Sequence, residues 1–339
     1  MIQVILTKPK NIVIKEIEKP RPGPGEVLIK VKRIGICGSD IHAYYGEHPF
    51  IGYPIVQGHE FSGKIAELGD GVSNFKIGDK VTVMPQLTCG ECYQCLHDDY
   101  HICDNLKVIG CQVNGGAQEY ISIPAELAIK LPENIDYNLG AMVEPLAVGV
   151  HAARKLSKVE NRKFLVLGAG PIGNLTSQVL KALGADSIMI TDICDFRLNI
   201  AQECGADYIV NVKKQDLEME IKEKFGEAKA DSIIECVGSE DTINQAISLA
   251  RKGSEIIVVG VFRNKPVVNF GLVQDRELKI QGSLMYKKID YDIAIDFIQS
   301  KKVKLEPLIT AHFSLKEYAE AYRFIENNKE RTMKVLIDV

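Results

Sequence analysis

Four cysteines lie within fifteen residues, Cys89, Cys92, Cys95 and Cys103, in the run CGECYQCLHDDYHIC. The C-x2-C-x2-C-x7-C spacing lets neighbouring thiolates converge from a tight turn, and the longer step returns a fourth. Four soft sulfur ligands suit the tetrahedral preference of Zn²⁺, and a closed set of four keeps no position for substrate. The pattern therefore predicts a structural zinc and places the chemistry elsewhere. The same lobe holds three acidic residues and no Lys or Arg, so it has little attraction for nucleic-acid phosphate.

A second pattern binds rather than braces. Gly168-Ala169-Gly170-Pro171-Ile172-Gly173 follows the strand-like run KFLVL and opens the helical run PIGNLTSQVLKALG. Gly168 permits a tight turn, Gly170 lets backbone approach a pyrophosphate, and Gly173 allows close helix–strand packing. Pro171 fits the first helical turn, where its missing N–H would be unpaired anyway. The helix N-terminus then offers free N–H groups to phosphate. Asp192 ends the next run, SIMITD, nineteen residues past Gly173. A carboxylate there accepts from both adenosine-ribose hydroxyls and repels a 2′-phosphate, which favours NAD over NADP. Arg197 lies where it can stack on adenine or meet a phosphate. Val237 and Val259, in the later runs DSIIECVG and EIIVVGVF, complete the expected cofactor contacts.

A sparser set has metal-ligand chemistry without a diagnostic spacing: Cys37 in GICGSDIH, His59 and Glu60 in GHE, and Glu144 in VEPLAVGVH. Sequence distance alone does not bring them together. One thiolate, one imidazole and one or two carboxylates would make a mixed site with a position left for water or a substrate oxygen.

The elements that must position these residues change character along the chain. The first 145 or so residues read as short β-strands with Gly-Asp turns, as at Gly69-Asp70-Gly71 and Gly78-Asp79, which suggests a small barrel or sandwich. From about Arg162 strands alternate with helices, the rhythm of βαβ crossovers and a parallel sheet. Near the end, a helix carrying Ile293, Ile295, Phe297 and Ile298, a second at about 315–325 and the strand MKVLIDV leave that rhythm. They are expected to return to the first domain. At 339 residues and 46% hydrophobic, the chain can fill two cores. The net charge of −4 is interspersed, with no basic tract for nucleic acid. No signal-peptide core or membrane-length apolar run occurs, and nine cysteines, an odd number, fit thiols kept for metal in a reducing cytoplasm.

The ordered motifs GICGSD-x-H, GHE, the four-cysteine lobe, EPLAVG-x-H and GAGPIG together resemble the zinc-dependent medium-chain dehydrogenase/reductase superfamily over essentially the whole chain. EPLAVGVHA is similar to the polyol branch, which includes sorbitol (L-iditol), galactitol-1-phosphate and sugar-acid 5-dehydrogenases. The resemblance implies an α/β architecture: a GroES-like β-rich catalytic domain, 1–147 and 287–339, and a Rossmann doubly wound parallel-sheet domain, 148–286, with the active site in the cleft between them. It implies two zinc ions per chain and NAD. Cys37 and His59 would ligate the catalytic zinc, and Glu144 would be a third ligand or hold its water. Glu60 would bind intermittently or support the site from behind. Ser39 would take the substrate proton and His42 would relay it to solvent. A homodimer or homotetramer follows by analogy alone.

Two departures bear on substrate. Where sorbitol dehydrogenases carry an Arg-Tyr pair, this chain reads GSLMY, and Met285 before Tyr286 cannot hydrogen-bond a polyol hydroxyl as a guanidinium would. Tyr44, Tyr45, Glu47, His48 and Phe50 precede GHE and are candidates for a pocket wall. The expected partner is a small-molecule alcohol, with no nucleic acid and no membrane. Threonine- or butanediol-type dehydrogenases are the near alternative, and a non-catalytic zinc-stabilised dinucleotide binder is the alternative of another class.

Overall fold

The computed structural model describes residues 1–339, which divide into two units: Met1–Glu144 with Ile309–Val339, and Pro145–Leu308. In the first unit, the ten-residue strand Glu26–Gly35 is the spine. It pairs antiparallel with Glu60–Leu68, with Tyr120–Pro124 and with the closing strand Lys334–Asp338. Lys80–Val83, Ala128–Lys130 and Ile309–Ser314 complete a seven-stranded sheet, the form taken by the expected small barrel or sandwich. Two register shifts between Glu26–Gly35 and Glu60–Leu68 mark bulges, which bend and twist a strand locally. Val27, Ile29, Val31, Phe61, Ile65, Val81 and Val83 from these strands share one core. The spine strand ends at Gly35, two residues before Cys37, and Glu60–Leu68 begins one residue after His59. One strand pair thus delivers the Cys37 and His59–Glu60 segments of the sparse set.

The second unit holds a six-stranded parallel sheet. Numbered in chain order its strands run 3-2-1-4-5-6: Tyr208–Asn211, Ser187–Asp192, Lys163–Leu167, Ser232–Glu235, Glu255–Val258 and Lys279–Gly282. The inner strands are apolar because both faces are covered, whereas the edge strand Lys279–Gly282 is exposed. Leu165, Leu167, Met189, Ile233 and Ile256 join Ile221, Phe225 and Ile243 of the crossover helices in one core. Each such side chain contributes about 1.5–3 kcal/mol when fully buried.

The boundaries differ from those expected. The span 287–308, assigned by sequence to the first domain, lies with the second unit, which begins at Pro145 rather than at 148. In helix Lys288–Gln299, Asp290 is fully buried and meets Nδ1 of His151 at 2.7 Å and Nη1 of Arg154 at 2.6 Å. Farther on, the main chain of Lys304 exchanges two hydrogen bonds, 2.6 and 2.9 Å, with the side chain of Gln178. Apolar periodicity identifies such a helix but not the core it covers. Only from Ile309 does the tail return, through helix Tyr318–Asn327 and the closing strand. No helix is long and apolar enough to cross a membrane.

Candidate metal centres and cofactor site

Cys37 ends the turn after the spine strand and is the N-cap of helix Gly38–Tyr45. Its backbone N–H donates to Oδ2 of Asp40 at 3.0 Å, which fixes the first turn. His59 and Glu60 approach from the neighbouring strand, and the ligand atoms of Cys37, His59 and Glu60 all lie within 4.8 Å of one another. Gly35 makes this approach possible, because a Cβ there would sit 2.2 Å from Oε2 of Glu60. A thiolate, an imidazole and a carboxylate at that separation fit a zinc ion with room for a further ligand.

The surrounding charges are buried and unequal. Asp40 is 0% exposed, and its Oδ1 lies 3.7 Å from Nδ1 of His59, too far for a hydrogen bond. Burial pushes the Asp40 carboxyl above its ordinary range, although His59 works against this. For His59 burial disfavours the charged ring, but Asp40 and then Cys37 outweigh it and hold its pKa well above the ordinary value. Protons therefore compete with a metal for this imidazole. Lys334 is the site's buried cation. Its Nζ donates to both Glu60 oxygens at 2.7 Å and to the Ile36 carbonyl at 3.3 Å. Burial disfavours the charge, yet Glu60 first, with Cys37 and Glu144, raises the Lys334 pKa.

Glu144 stands outside the Cys37/His59/Glu60 cluster, in the first turn of helix Val143–Arg154, buried and within electrostatic reach of Lys334. Ser39 and His42 are half-buried and three residues apart on helix Gly38–Tyr45, hence on one face, with His42 Nδ1 3.5 Å from Oε2 of Glu47. The sequence reading missed Asp40, Lys334 and Cys111, whose Sγ lies 4.0 Å from His59 Nδ1. A lysine within the apolar stretch Met333–Ile337 of the closing run was the available signal for Lys334, since lysine is almost never fully buried without a partner.

The expected pocket wall is only partly accessible. Tyr44 is a core residue stacked on Tyr322 at 4.6 Å, while Phe50 is 75% exposed. Met285 adopts a left-handed φ of 51° and is half-buried. Its neighbour Tyr286 is fully buried against Tyr291, with ring centroids 4.9 Å apart, so that aromatic packs the core.

The second cluster gathers Cys89, Cys92, Cys95 and Cys103, whose sulfurs also lie within 4.8 Å of one another. All four are free thiols. The backbone N–H groups of Cys89 and Asn105 point at Cys103 Sγ, at 3.4 and 3.3 Å, and that of Cys92 points at Cys89 Sγ at 3.4 Å. Backbone donors from Glu91 and Cys92 pull the Cys89 thiol down to about 6, whereas desolvation among the sulfurs pushes Cys95 up to about 12. Backbone N–H groups directed at the Cys89 and Cys103 sulfurs suit a lobe that binds Zn²⁺ through thiolates. Cys95→Ser is expected to cost this lobe its metal and lower the melting temperature. Elemental analysis checks it, and unchanged zinc content would contradict the assignment.

In the parallel-sheet unit, the glycine motif sits at the carboxyl end of strand Lys163–Leu167, beside the point where strand order reverses. Gly168 has φ 98°, and a Cβ on Gly173 would lie 1.8 Å from the Gly168 carbonyl. Gly170 caps helix Pro171–Ala182, with Pro171 and Ile172 in its first turn. Asp192 turns toward this loop: Oδ2 accepts the Ala169 N–H at 2.9 Å, and Oδ1 accepts those of Ile193 and Cys194. Arg197 is half-buried on the following helix, Asp195–Glu203. Buried Glu235, another residue the sequence did not reveal, shapes the remaining contacts. Its Oε1 accepts the N–H groups of Val237 and Gly238, and its carbonyl accepts that of Val259. The turns bearing Val237 and Val259, which follow adjacent strands, are therefore both tied to Glu235, one by its carboxylate and the other by its carbonyl.

Comparison with known proteins identifies the family of the chain. The family model "Alcohol dehydrogenase GroES-like domain" matches residues 23–133, and "Zinc-binding dehydrogenase" matches residues 171–300. The chain is 36% identical over 331 residues to sorbitol dehydrogenase of Halalkalibacterium halodurans, covering 96% of this chain and 95% of that protein. Among solved structures, the short chain alcohol dehydrogenase RspB from Escherichia coli CFT073, complexed with NADH, superposes with a TM-score of 0.94 at 34% identity, covering 100% and 99% of the two chains. A zinc-binding dehydrogenase from Sinorhizobium meliloti 1021, bound to NADP, gives 0.92 at 29% identity, covering 100% and 99%.

Proposed function

Because the chain belongs to the zinc-dependent medium-chain dehydrogenase/reductase superfamily, we propose that it oxidises a secondary hydroxyl of a polyol, sugar phosphate or sugar acid with NAD. The observation that carries this reading is the convergence of Cys37, His59 and Glu60 within 4.8 Å. Zinc held there supplies a Lewis acid that lowers the pKa of a substrate hydroxyl, and the nicotinamide supplies the hydride acceptor. The alcohol loses a hydride from carbon and a proton from oxygen, leaving a carbonyl and NADH. Cys37 and His59 position the metal. Glu60, clasped by Lys334, is the carboxylate within the cluster, and Glu144 is the second one available nearby. Ser39 accepts the hydroxyl proton, and His42, on the same helix face, passes it to solvent.

NAD is the proposed cofactor because Asp192 ends the second strand with its carboxylate at the glycine loop, where a 2′-phosphate would meet negative charge. Charge-assisted hydrogen bonds contribute about 1.5–3 kcal/mol each. Asp192→Ala is thus expected to weaken NAD roughly tenfold or more while leaving NADP less affected. An unchanged preference in steady-state kinetics would refute the role.

The branch is tested by a panel of polyols, sugar acids and their phosphates, with threonine and 2,3-butanediol as rivals, following NADH formation. The highest kcat/KM should fall among the polyhydroxy compounds. Preference for threonine or butanediol would sink the polyol reading. Met285 argues against sorbitol itself within that class. Strand Lys279–Gly282 is an exposed sheet edge with one partner, and pairing of two copies there is the proposed dimer contact. A monomer in sedimentation would count against it.

A further inference from the structure

The segments bearing Cys37 and His59 are joined through one buried amide. Gln57, two residues before His59 and 1% exposed, donates from Nε2 to the carbonyl of Asp40 at 3.0 Å. Asp40 is three residues past Cys37, and its carboxylate already holds the Cys37 N–H. The other end of the amide, Oε1 of Gln57, accepts the hydroxyl of Tyr322 at 2.9 Å. Tyr322 belongs to helix Tyr318–Asn327, in the tail that returns to this unit. An amide can face either way, and its partners decide which. The Asp40 carbonyl can only accept, so the NH₂ of Gln57 must face it. The oxygen of Gln57 then faces Tyr322, whose hydroxyl donates to it and holds the amide from its other end.

Tyr322 is itself fixed. Its ring stacks on that of Tyr44 at 4.6 Å, and Tyr44 lies on the helix that Cys37 caps. The closing helix therefore grips this helix twice, once by ring stacking and once through Gln57. Nothing in the proton relay or in the ligand set uses Gln57 or Tyr322.

We propose that Gln57, held by Tyr322, is a positioning residue that fixes Cys37 relative to His59 and so sets the geometry of the metal they hold. This rests on the reading of Cys37 and His59 as zinc ligands. Groups that orient ligands from behind typically contribute tenfold to a hundredfold in metal affinity or activity. Methionine at 57 keeps the length and volume but neither hydrogen bond. Tyr322→Phe keeps the stacked ring and removes the hydroxyl that donates to the amide.

The test compares wild type, Gln57→Met and Tyr322→Phe as full-length holoprotein, by zinc affinity in chelator competition and by the visible spectrum after cobalt substitution. Subtracting the spectrum of Cys37→Ser isolates this site from the four-cysteine lobe. Gln57→Met is expected to lose about tenfold to a hundredfold in zinc affinity and to shift the cobalt bands. Tyr322→Phe should shift them in the same direction by less, with kcat falling more than KM changes in both. Unaltered cobalt bands and zinc affinity in Tyr322→Phe, with or without a lower melting temperature, would overturn the proposal even if Gln57→Met failed to fold. Failure of the underlying reading looks different: Cys37→Ser itself would then keep the complete cobalt spectrum.

Discussion

Cys37→Ser should lower turnover by roughly three orders of magnitude, the consequence of losing several kcal/mol of Lewis-acid stabilisation. A serine hydroxyl stays protonated at neutral pH and is a poor substitute for a soft thiolate on zinc. The fold has little reason to suffer. Cys37 is a helix N-cap, and serine is among the preferred residues there. The hydrogen bond that Asp40 accepts comes from the backbone of residue 37, so it survives the change. NAD binding should persist as well, since the glycine motif belongs to the other unit. Turnover, NAD titration and thermal melting on one preparation separate these effects. Full activity would remove Cys37 from the site.

Lys334→Met is expected to be the most destabilising single change near the metal cluster, at about 3–5 kcal/mol. Lysine here neutralises Glu60, which is 1% exposed and has both oxygens engaged by Nζ. Removing the cation strands a carboxylate in a low-dielectric interior. Glu60→Gln in the same chain should recover much of the loss, and urea unfolding of the single and double variants measures it. The raised Lys334 pKa fixes the sign of the pH dependence. A group whose pKa is higher in the folded state contributes its stability below its unfolded value, here 10.5, and loses it as pH rises through the folded one. The contribution is therefore undiminished at neutral pH. An equal stability loss in Glu60→Gln/Lys334→Met and Lys334→Met would contradict the ion-pair account.

The parts of the site readable from sequence are those whose chemistry is local. Gly168 to Gly173 followed a strand and opened a helix, so motif and context sat in one window. The four-cysteine run was equally local. Cys37, His59 and Glu60 were nameable as residue types, but their convergence depends on pairing of Glu26–Gly35 with Glu60–Leu68, including its bulges. Lys334 lies 274 residues from Glu60, and Tyr322 lies 265 from Gln57. No pattern within a strand or helix reports such contacts. The misplaced helix Lys288–Gln299 shows the same limit, since Asp290 reads as a surface residue until His151 and Arg154 are seen beside it. Tyr44, a pocket-wall candidate in a line of sequence, is core packing in the fold.

The four-cysteine lobe is the louder metal signal, yet under the proposed reading its closed sulfur set leaves the chemistry to the sparser cluster around Cys37. Zinc removal and restoration tests that division most directly. Wild-type protein is treated with a chelator strong enough to empty the Cys37/His59 site, and NADH formation from the best substrate of the panel is followed before treatment, after it and after zinc is added back. The account predicts turnover that is lost with the metal and returns with it, and that never returns in Cys37→Ser. NADH formation indifferent to chelation, or none from any alcohol by the zinc-replete protein, would contradict it.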